Sequence, residues 1–235
     1  MIAATVRRGA LCTARTFVGM DAAIAPEHRY YSEEEWVALE EELDTKFEYL
    51  DGHLYDVRAM AGGTTPHNRA SSNAGNYLRD LARAQGRKCF AYTSDMKVQV
   101  VAHRRYYYPD TSIRCGDEEP GGKVGSYRNP TIVVEVVSES SYHRDTVTKF
   151  AHYATLPSLR DYVLVFLKEP VVQVYSRRNH SEDMTARTYF GLDAQVYIPS
   201  LGGELAMADL YEEVEFPPQA KVVRHPSANP DDGHE

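Results

Sequence analysis

The most apolar stretch of the chain is TIVVEVV at 131–137, and a single acid, Glu135, interrupts it. A strand with that pattern is buried on both faces of a sheet. Elsewhere the period of the pattern changes repeatedly. Ser32 followed by Glu35 is a capping-box signature that opens a short acidic helix, Glu33–Leu43, with Trp36, Leu39 and Leu43 on one face. Phe47–Tyr55 reads as a hairpin turned by Asp51-Gly52. Over His67–Ala84 the residues Ala70, Ala74, Tyr77, Leu78 and Leu81 recur at helical spacing, and Gly86 suits the C-terminal cap.

A strand-rich block follows. Met96, Val98 and Val100 alternate with Lys97 and Gln99, and Thr111, Ile113 and Cys115 alternate with Ser112 and Arg114. Gly121-Gly122 and Asn129-Pro130 bracket a loop before the apolar run. A helix is expected from about Tyr142 to Ala154, with Val147, Phe150, Ala151 and Ala154 on its apolar side. Two further strands, DYVLVFL and VVQVYSR, meet at the Glu169-Pro170 turn. The order of elements gives an α/β or α+β fold, a mixed sheet flanked by helices in a single domain over 29–215. Residues 1–28 carry arginines and no acid before Asp21 and read as a disordered extension; 216–235, rich in Pro, Asp and small polar residues, read as a disordered tail.

Composition narrows the classes. The chain has 235 residues, 43% hydrophobic and 26% charged, a globular balance with enough length for a sizeable core. No run of about 18 apolar residues occurs, so no membrane-spanning helix is expected. Cys12, Cys89 and Cys115 are odd in number, far apart and without a CxxC pair. That argues against a disulfide scaffold and a cysteine zinc site, and suits a cytoplasmic protein. The net charge is −8, so no general basic field announces nucleic acid; a nucleic-acid partner would need a local patch or metal ions. Walker, GxGxxG, GxSxG, HxH and HExxH motifs are all missing, which removes nucleotide, dinucleotide, serine-hydrolase and zincin readings.

Glu135 is the sharpest chemical signal. An ionised carboxylate buried in an apolar run costs several kcal/mol unless a cation, metal or strong donors compensate, so it is either ion-paired for structure or part of a site. Asp110 follows Pro109 at a strand entry, where a turn aspartate is the plain reading. Taken together, two carboxylates at a strand start and mid-strand can meet on adjacent strands. That would make a hard-oxygen site suited to Mg²⁺ or Mn²⁺.

The order PD at 109–110, then a hydrophobic strand carrying Glu135, resembles the PD-(D/E)XK nuclease superfamily, and more closely the bacterial Uma-two family of restriction-endonuclease-like proteins. The resembling stretches are KFEYLDGHLYDVRAMAGGTTPHNRASSNAGNYL at 46–78, SDMKVQV at 94–100, RYYYPDTSI at 105–113, NPTIVVEVVSESS at 129–141 and RDTVTKFAHYATLPSLRDYVLV at 144–165. The resemblance implies a restriction-endonuclease-like core in which Asp110 and Glu135 bind the metal, helped by the backbone carbonyl of Val136. Glu48 matches an upstream acid that often completes such sites; its plain reading is an exposed strand glutamate. His67 matches a histidine near the site; its plain reading is a helix-start histidine packed on the hairpin. The superfamily lysine position holds Val137 here. The resemblance moves that lysine to Lys149, against a surface pair with Asp145, while Lys97 is the other candidate. Tyr106, Tyr107 and Tyr108, with Arg104 and Arg105, either stack on bases or pack a half-buried strand.

These features imply a Mg²⁺-dependent endonuclease acting on DNA, with Asp110, Glu135, Lys149, Glu48 and His67 as the catalytic set, and with dimerisation, as a homodimer, letting two sites address two strands. The rivals are a non-catalytic nuclease-fold module for DNA or protein interaction, and a metal-dependent hydrolase of another phosphate ester.

Overall fold

The computed structural model describes residues 29–57, 63–101, 104–122 and 125–218. The expected extension over 1–28 lies outside the described residues, as does the tail expected over 216–235 apart from 216–218, where Phe216 packs against the core. The chain forms a mixed α+β fold built on a five-stranded sheet, a six-stranded sheet and a two-stranded ribbon.

Helix α1 (Glu33–Leu43) starts at the expected capping box, with Ser32 and Glu35 each accepting from the other's backbone N–H. Strands β1 (Phe47–Leu50) and β2 (His53–Asp56) form the hairpin. Asp51 and Gly52 both have positive φ, 51° and 93°, as the two central residues of a primed hairpin turn require. Trp36 is fully buried under this hairpin and donates to the Phe47 carbonyl at 3.0 Å. Leu43, expected on the same face, is exposed. Helix α2 (Thr65–Ala84) buries Ala70, Ala74, Leu78 and Ala82 along one stripe.

The strands that follow are β3 (Cys89–Thr93), β4 (Lys97–Val101), β5 (Arg105–Tyr107), β6 (Thr111–Cys115), β7 (Ser126–Tyr127) and β8 (Ile132–Val137). After a helical segment come β9 (Asp161–Phe166), β10 (Val171–Ser176), β11 (Thr185–Phe190), β12 (Gln195–Ile198) and β13 (Gly203–Ala206), then a short helix, Met207–Leu210. The five-stranded sheet runs β2-β1-β5-β4-β7 and the six-stranded sheet β11-β10-β9-β8-β6-β3. In the larger sheet β8 pairs with β9 in parallel and with β6 antiparallel.

Strand β8 is buried along its whole length, as its composition predicts. Ile132, Val134 and Val136 face one core with α2, while Val133 and Val137 face a second core between the two sheets. The two-residue period of a strand therefore turns Glu135 toward the second core. Tyr106, Tyr107 and Tyr108 are buried packing residues, and Arg104 and Arg105 pair with Asp51. These rings are sealed away from any base, so the base-stacking reading of the tyrosines does not hold. Among the described residues no helix is long and apolar enough to cross a membrane.

One expectation fails and another holds in part. Cys89 and Cys115 are directly opposed in the β3–β6 register and form a disulfide, against the expectation of no disulfide scaffold. Their spacing of 26 residues gives no hint that two strands bring them face to face. The helix expected over 142–154 is divided into a π-helical turn, Arg144–Lys149, and an α-turn, Phe150–Tyr153. Its inward face is Ser141, Asp145, Lys149 and Tyr153, while Val147 is about half exposed. Of the expected apolar face, Phe150 packs against the second core, whereas Val147 is turned outward by the polar residues that the acids beneath draw inward.

Candidate active site

Five separate segments meet at one small pocket between the two sheets. It encloses about 20 Å³ and is lined by Glu48, His67, Asp110, Glu135, Arg144, Asp145 and Lys149 among others. That volume holds one water-sized occupant and no nucleotide.

Each side chain is placed by its own element. Glu48 and Leu50 share the face of β1 opposite to Phe47 and Tyr49, which pack under Trp36. Glu48 is thereby 1% exposed, so its reading as an exposed strand glutamate does not hold. Asp110 precedes β6, and continuing the Thr111↔Val134 register by one residue sets it beside Glu135. Its carboxylate accepts the Val136 N–H at 2.7 Å. Because the N–H and C=O of one strand residue face the same neighbour, the Val136 carbonyl lies on the Asp110 side of β8.

His67 stands in the first turn of α2, where Thr64 caps its backbone N–H. Ser71, one turn later on the same face, donates to the Asp110 carbonyl at 2.9 Å, and Thr111 donates to the Ser71 carbonyl at 3.0 Å. This clasp fixes the helix over the strand start, and His67 Nε2 lies 3.2 Å from Asp110 Oδ2. Burial pulls the His67 pKa down, but the hydrogen bond and charge of Asp110 outweigh it and the net direction is upward.

Lys149 occupies the centre. Its Nζ donates to both oxygens of Glu135 at 3.1 Å and lies 3.1 Å from Glu48 Oε1 and 3.8 Å from Asp145 Oδ1. The π-turn that presents it is anchored below, where Tyr162 donates to the Asp145 carbonyl at 2.7 Å. Such wide turns tend to occur at functional sites. Burial drives the Lys149 pKa down, yet the charges of Glu135, Glu48 and Asp145 together lift it above its ordinary value, so the amine is held protonated. Glu135 is pushed well up, first by burial and then by the repulsion of Asp145, Asp110 and Glu48, with Lys149 acting against them. Four carboxylates thus crowd a space that the protein's own cations neutralise incompletely.

Lys97, the rival lysine, is elsewhere. It is buried against Glu40 at 2.6 Å and over the Trp36 ring at 4.6 Å, fastening α1 to β4. Two charged residues of the pocket carried no catalytic role in the sequence reading, Asp145 and Arg144. Asp145 is four residues before Lys149, a spacing that could have placed it here had its burial been foreseen. Arg144 Nη1 lies 3.9 Å from Glu48 and its Nε 3.6 Å from Asp145.

Among the described residues no trio of His, Cys, Asp and Glu is spaced as a ready metal cage. The donor set nonetheless suits a hard divalent cation, which binds through one or two carboxylates and keeps other positions for water or phosphate oxygen. Asp110, Glu135 and the Val136 carbonyl supply that number of oxygens. Glu48 Oε2 and Asp145 Oδ1 are buried without a hydrogen bond, the Arg144 guanidinium standing 3.9 and 3.6 Å from them, which leaves lone pairs that a bound cation would use. Beside the pocket lies an open cleft of about 490 Å³, lined by Thr64, His67, Ser138, Glu139, Ser140 and Leu167.

Residues 33–208 match the family Uma2, described as "Putative restriction endonuclease". An uncharacterized protein of Synechocystis is 32% identical over 189 residues, covering 79% of this chain and 93% of that protein. A second uncharacterized Synechocystis protein is 30% identical over 134 residues, covering 56% of this chain and 72% of its own length. A crystal structure from Anabaena variabilis, titled as a putative nuclease belonging to DUF820, superposes with a TM-score of 0.58 at 18% identity, covering 77% of this chain and 97% of that one. It is similar in fold.

Proposed function

The chain belongs to the Uma2 family, and from that membership and the geometry of the pocket we propose that it is a divalent-metal-dependent DNA endonuclease. The observation that carries the reading is the convergence of Asp110, Glu135 and Lys149 on one pocket, with the Lys149 ammonium hydrogen-bonded to Glu135 at 3.1 Å. A structural ion pair needs two partners; here four carboxylates and two cations share a space the size of an ion.

In this reading Asp110, Glu135 and the Val136 carbonyl hold Mg²⁺ or Mn²⁺. The ion supplies a fixed positive charge that lowers the pKa of water and offsets charge building on the phosphate. Lys149 acts as a donor: it orients the attacking water and stabilises charge on the phosphoryl oxygens. Glu48 keeps the ammonium aimed into the pocket. His67 hydrogen-bonds Asp110 and fixes the carboxylate's rotamer, leaving its other oxygen for the metal. Cleavage would leave a 5′-phosphate and a 3′-hydroxyl.

Titration calorimetry with Mg²⁺ and Mn²⁺ tests the reading. Wild type should bind one ion per chain, and Glu135→Ala should lose that binding while melting cooperatively. Wild-type protein that binds neither ion would overturn the catalytic reading and leave a nuclease-fold interaction module.

A further inference from the structure

We propose that Arg144 is a phosphate-binding residue, which holds the nucleic-acid strand in the open cleft beside the pocket so that the scissile bond faces the carboxylates. The proposal rests on the nuclease reading above and adds to it the group that captures the substrate backbone.

Size comes first. The inner pocket encloses about 20 Å³ and cannot admit a nucleotide, whereas the adjoining cleft offers about 490 Å³. The two share His67 and Ser138, so a strand lying in the cleft passes the mouth of the pocket. The cleft lining is short of positive charge. It presents hydroxyls from Thr64, Ser138 and Ser140, together with His67 and the carboxylate of Glu139. A polyanion drawn to a chain of net charge −8 needs a cation at that border.

Arg144 lines the inner pocket together with Ser138, which also lines the cleft. The Arg144 side chain is 24% exposed, whereas those of Lys149, Glu135 and Glu48 are at most 2% exposed. It shares the pocket wall with Ser138 and Ser141, next to the cleft. Both carboxylates that Arg144 approaches are also approached by Lys149, Glu48 at 3.1 Å and Asp145 at 3.8 Å. Turning the guanidinium outward gives up its approach to Glu48 Oε2, while Lys149 keeps its own to Glu48 Oε1 and Asp145 Oδ1. Its planar fork matches two phosphate oxygens at once, which an ammonium cannot do. The division of labour is then physical: Lys149, sealed, serves the reacting group, and Arg144, at the mouth, serves the strand.

The test is binding of the full chain to a short fluorescein-labelled DNA duplex, and to its single strand, by anisotropy in Ca²⁺ buffer between about 50 and about 200 mM salt. Arg144→Gln should weaken binding to any sequence and reduce the slope of log affinity against log salt by about 0.9, the loss of one phosphate contact. Its calorimetric Mg²⁺ binding should persist. Arg144→Lys, which keeps the charge, should retain the slope but lose several-fold in affinity, and it carries the test if the glutamine variant melts early. Glu139→Gln should tighten binding through the cleft.

A wild type that binds and nicks DNA, alongside an Arg144→Gln variant of unchanged slope and affinity, would overturn the role of Arg144 and leave the nuclease reading standing. Unchanged affinity in Arg144→Lys would overturn the fork contact, and unchanged binding in Glu139→Gln would overturn the path through the cleft. A wild type that neither binds nor nicks DNA would remove the nuclease reading, and this proposal with it.

Discussion

Buried acids in this chain divide by whether a cation reaches them. Glu135 meets Lys149, whereas Asp161 has no salt bridge to a cation among the described residues. Asp161 is fully buried at the head of β9, where its Oδ2 accepts the Ser200 N–H at 3.0 Å. Burial raises its pKa, with hydrogen bonds from Ser200 and Ser176 and the charge of Arg160 acting against it. A raised carboxyl pKa means the native state holds the proton more tightly. Its contribution to stability is full below the ordinary value of 3.8 and is lost as pH rises through the native value. Asp161→Asn should therefore match or exceed wild type at pH 7, by up to about 1 kcal/mol. Wild type should gain on the variant as pH falls toward 4. Urea denaturation at several pH values checks this, and a difference independent of pH would contradict it. At this scale Glu135 was legible, since one acid inside an apolar run needs either an ion partner or a site to hold it. Asp161 opens its run and Arg144 stands before an acid in a polar segment, and no local pattern marks either as buried against other charges.

Periodicity located most elements but misjudged which face of one is buried. Helices α1 and α2, the hairpin and strands β8, β9 and β10 follow from capping, turn and alternation signals. Strand β11, TARTYF, is exposed along nearly its whole length, and β7 has only two residues, so neither leaves a hydrophobic trace. The segment 142–154 was expected to bury Val147 along with Phe150; Phe150 packs inward, but Asp145 and Lys149 are buried in place of Val147, because partners from β1 and β8 make a polar face stable inside. Lys97 shows the same effect in a structural setting. It sits on what read as the polar side of β4, yet only 9% of its side chain is exposed. Glu40 gathers it together with the Tyr108 hydroxyl at 2.8 Å and the Phe47 N–H at 2.9 Å. Glu40→Ala would strand a buried ammonium and should cost about 3–5 kcal/mol in chemical denaturation. Glu40→Gln should recover part of that. A loss below about 1 kcal/mol would show that α1 is held by Trp36 packing alone.

Over the whole molecule, function depends on register that no local pattern reveals. The pocket needs β1 from one sheet, β6 and β8 from the other, the start of α2 and the π-turn, all brought to one point. The order of motifs pointed to this convergence, whereas the Cys89–Cys115 link across β3 and β6 went unforeseen. It closes a loop of 26 residues by sequence separation at the far end of the strand that Asp110 precedes. Its loss in Cys89→Ser/Cys115→Ser, or on reduction, should cost about 2–4 kcal/mol. An unchanged melting midpoint under reductant would show that the strand pairing suffices.

The measurement that reaches the central claim most directly is nicking of supercoiled plasmid in Mg²⁺ by wild type and by Asp110→Asn, Glu135→Gln and Lys149→Met. The account predicts nicking by wild type that chelator abolishes, with each variant slower by about a hundredfold or more. Folded wild-type protein that leaves the plasmid intact, or variants that nick at the wild-type rate, would contradict it.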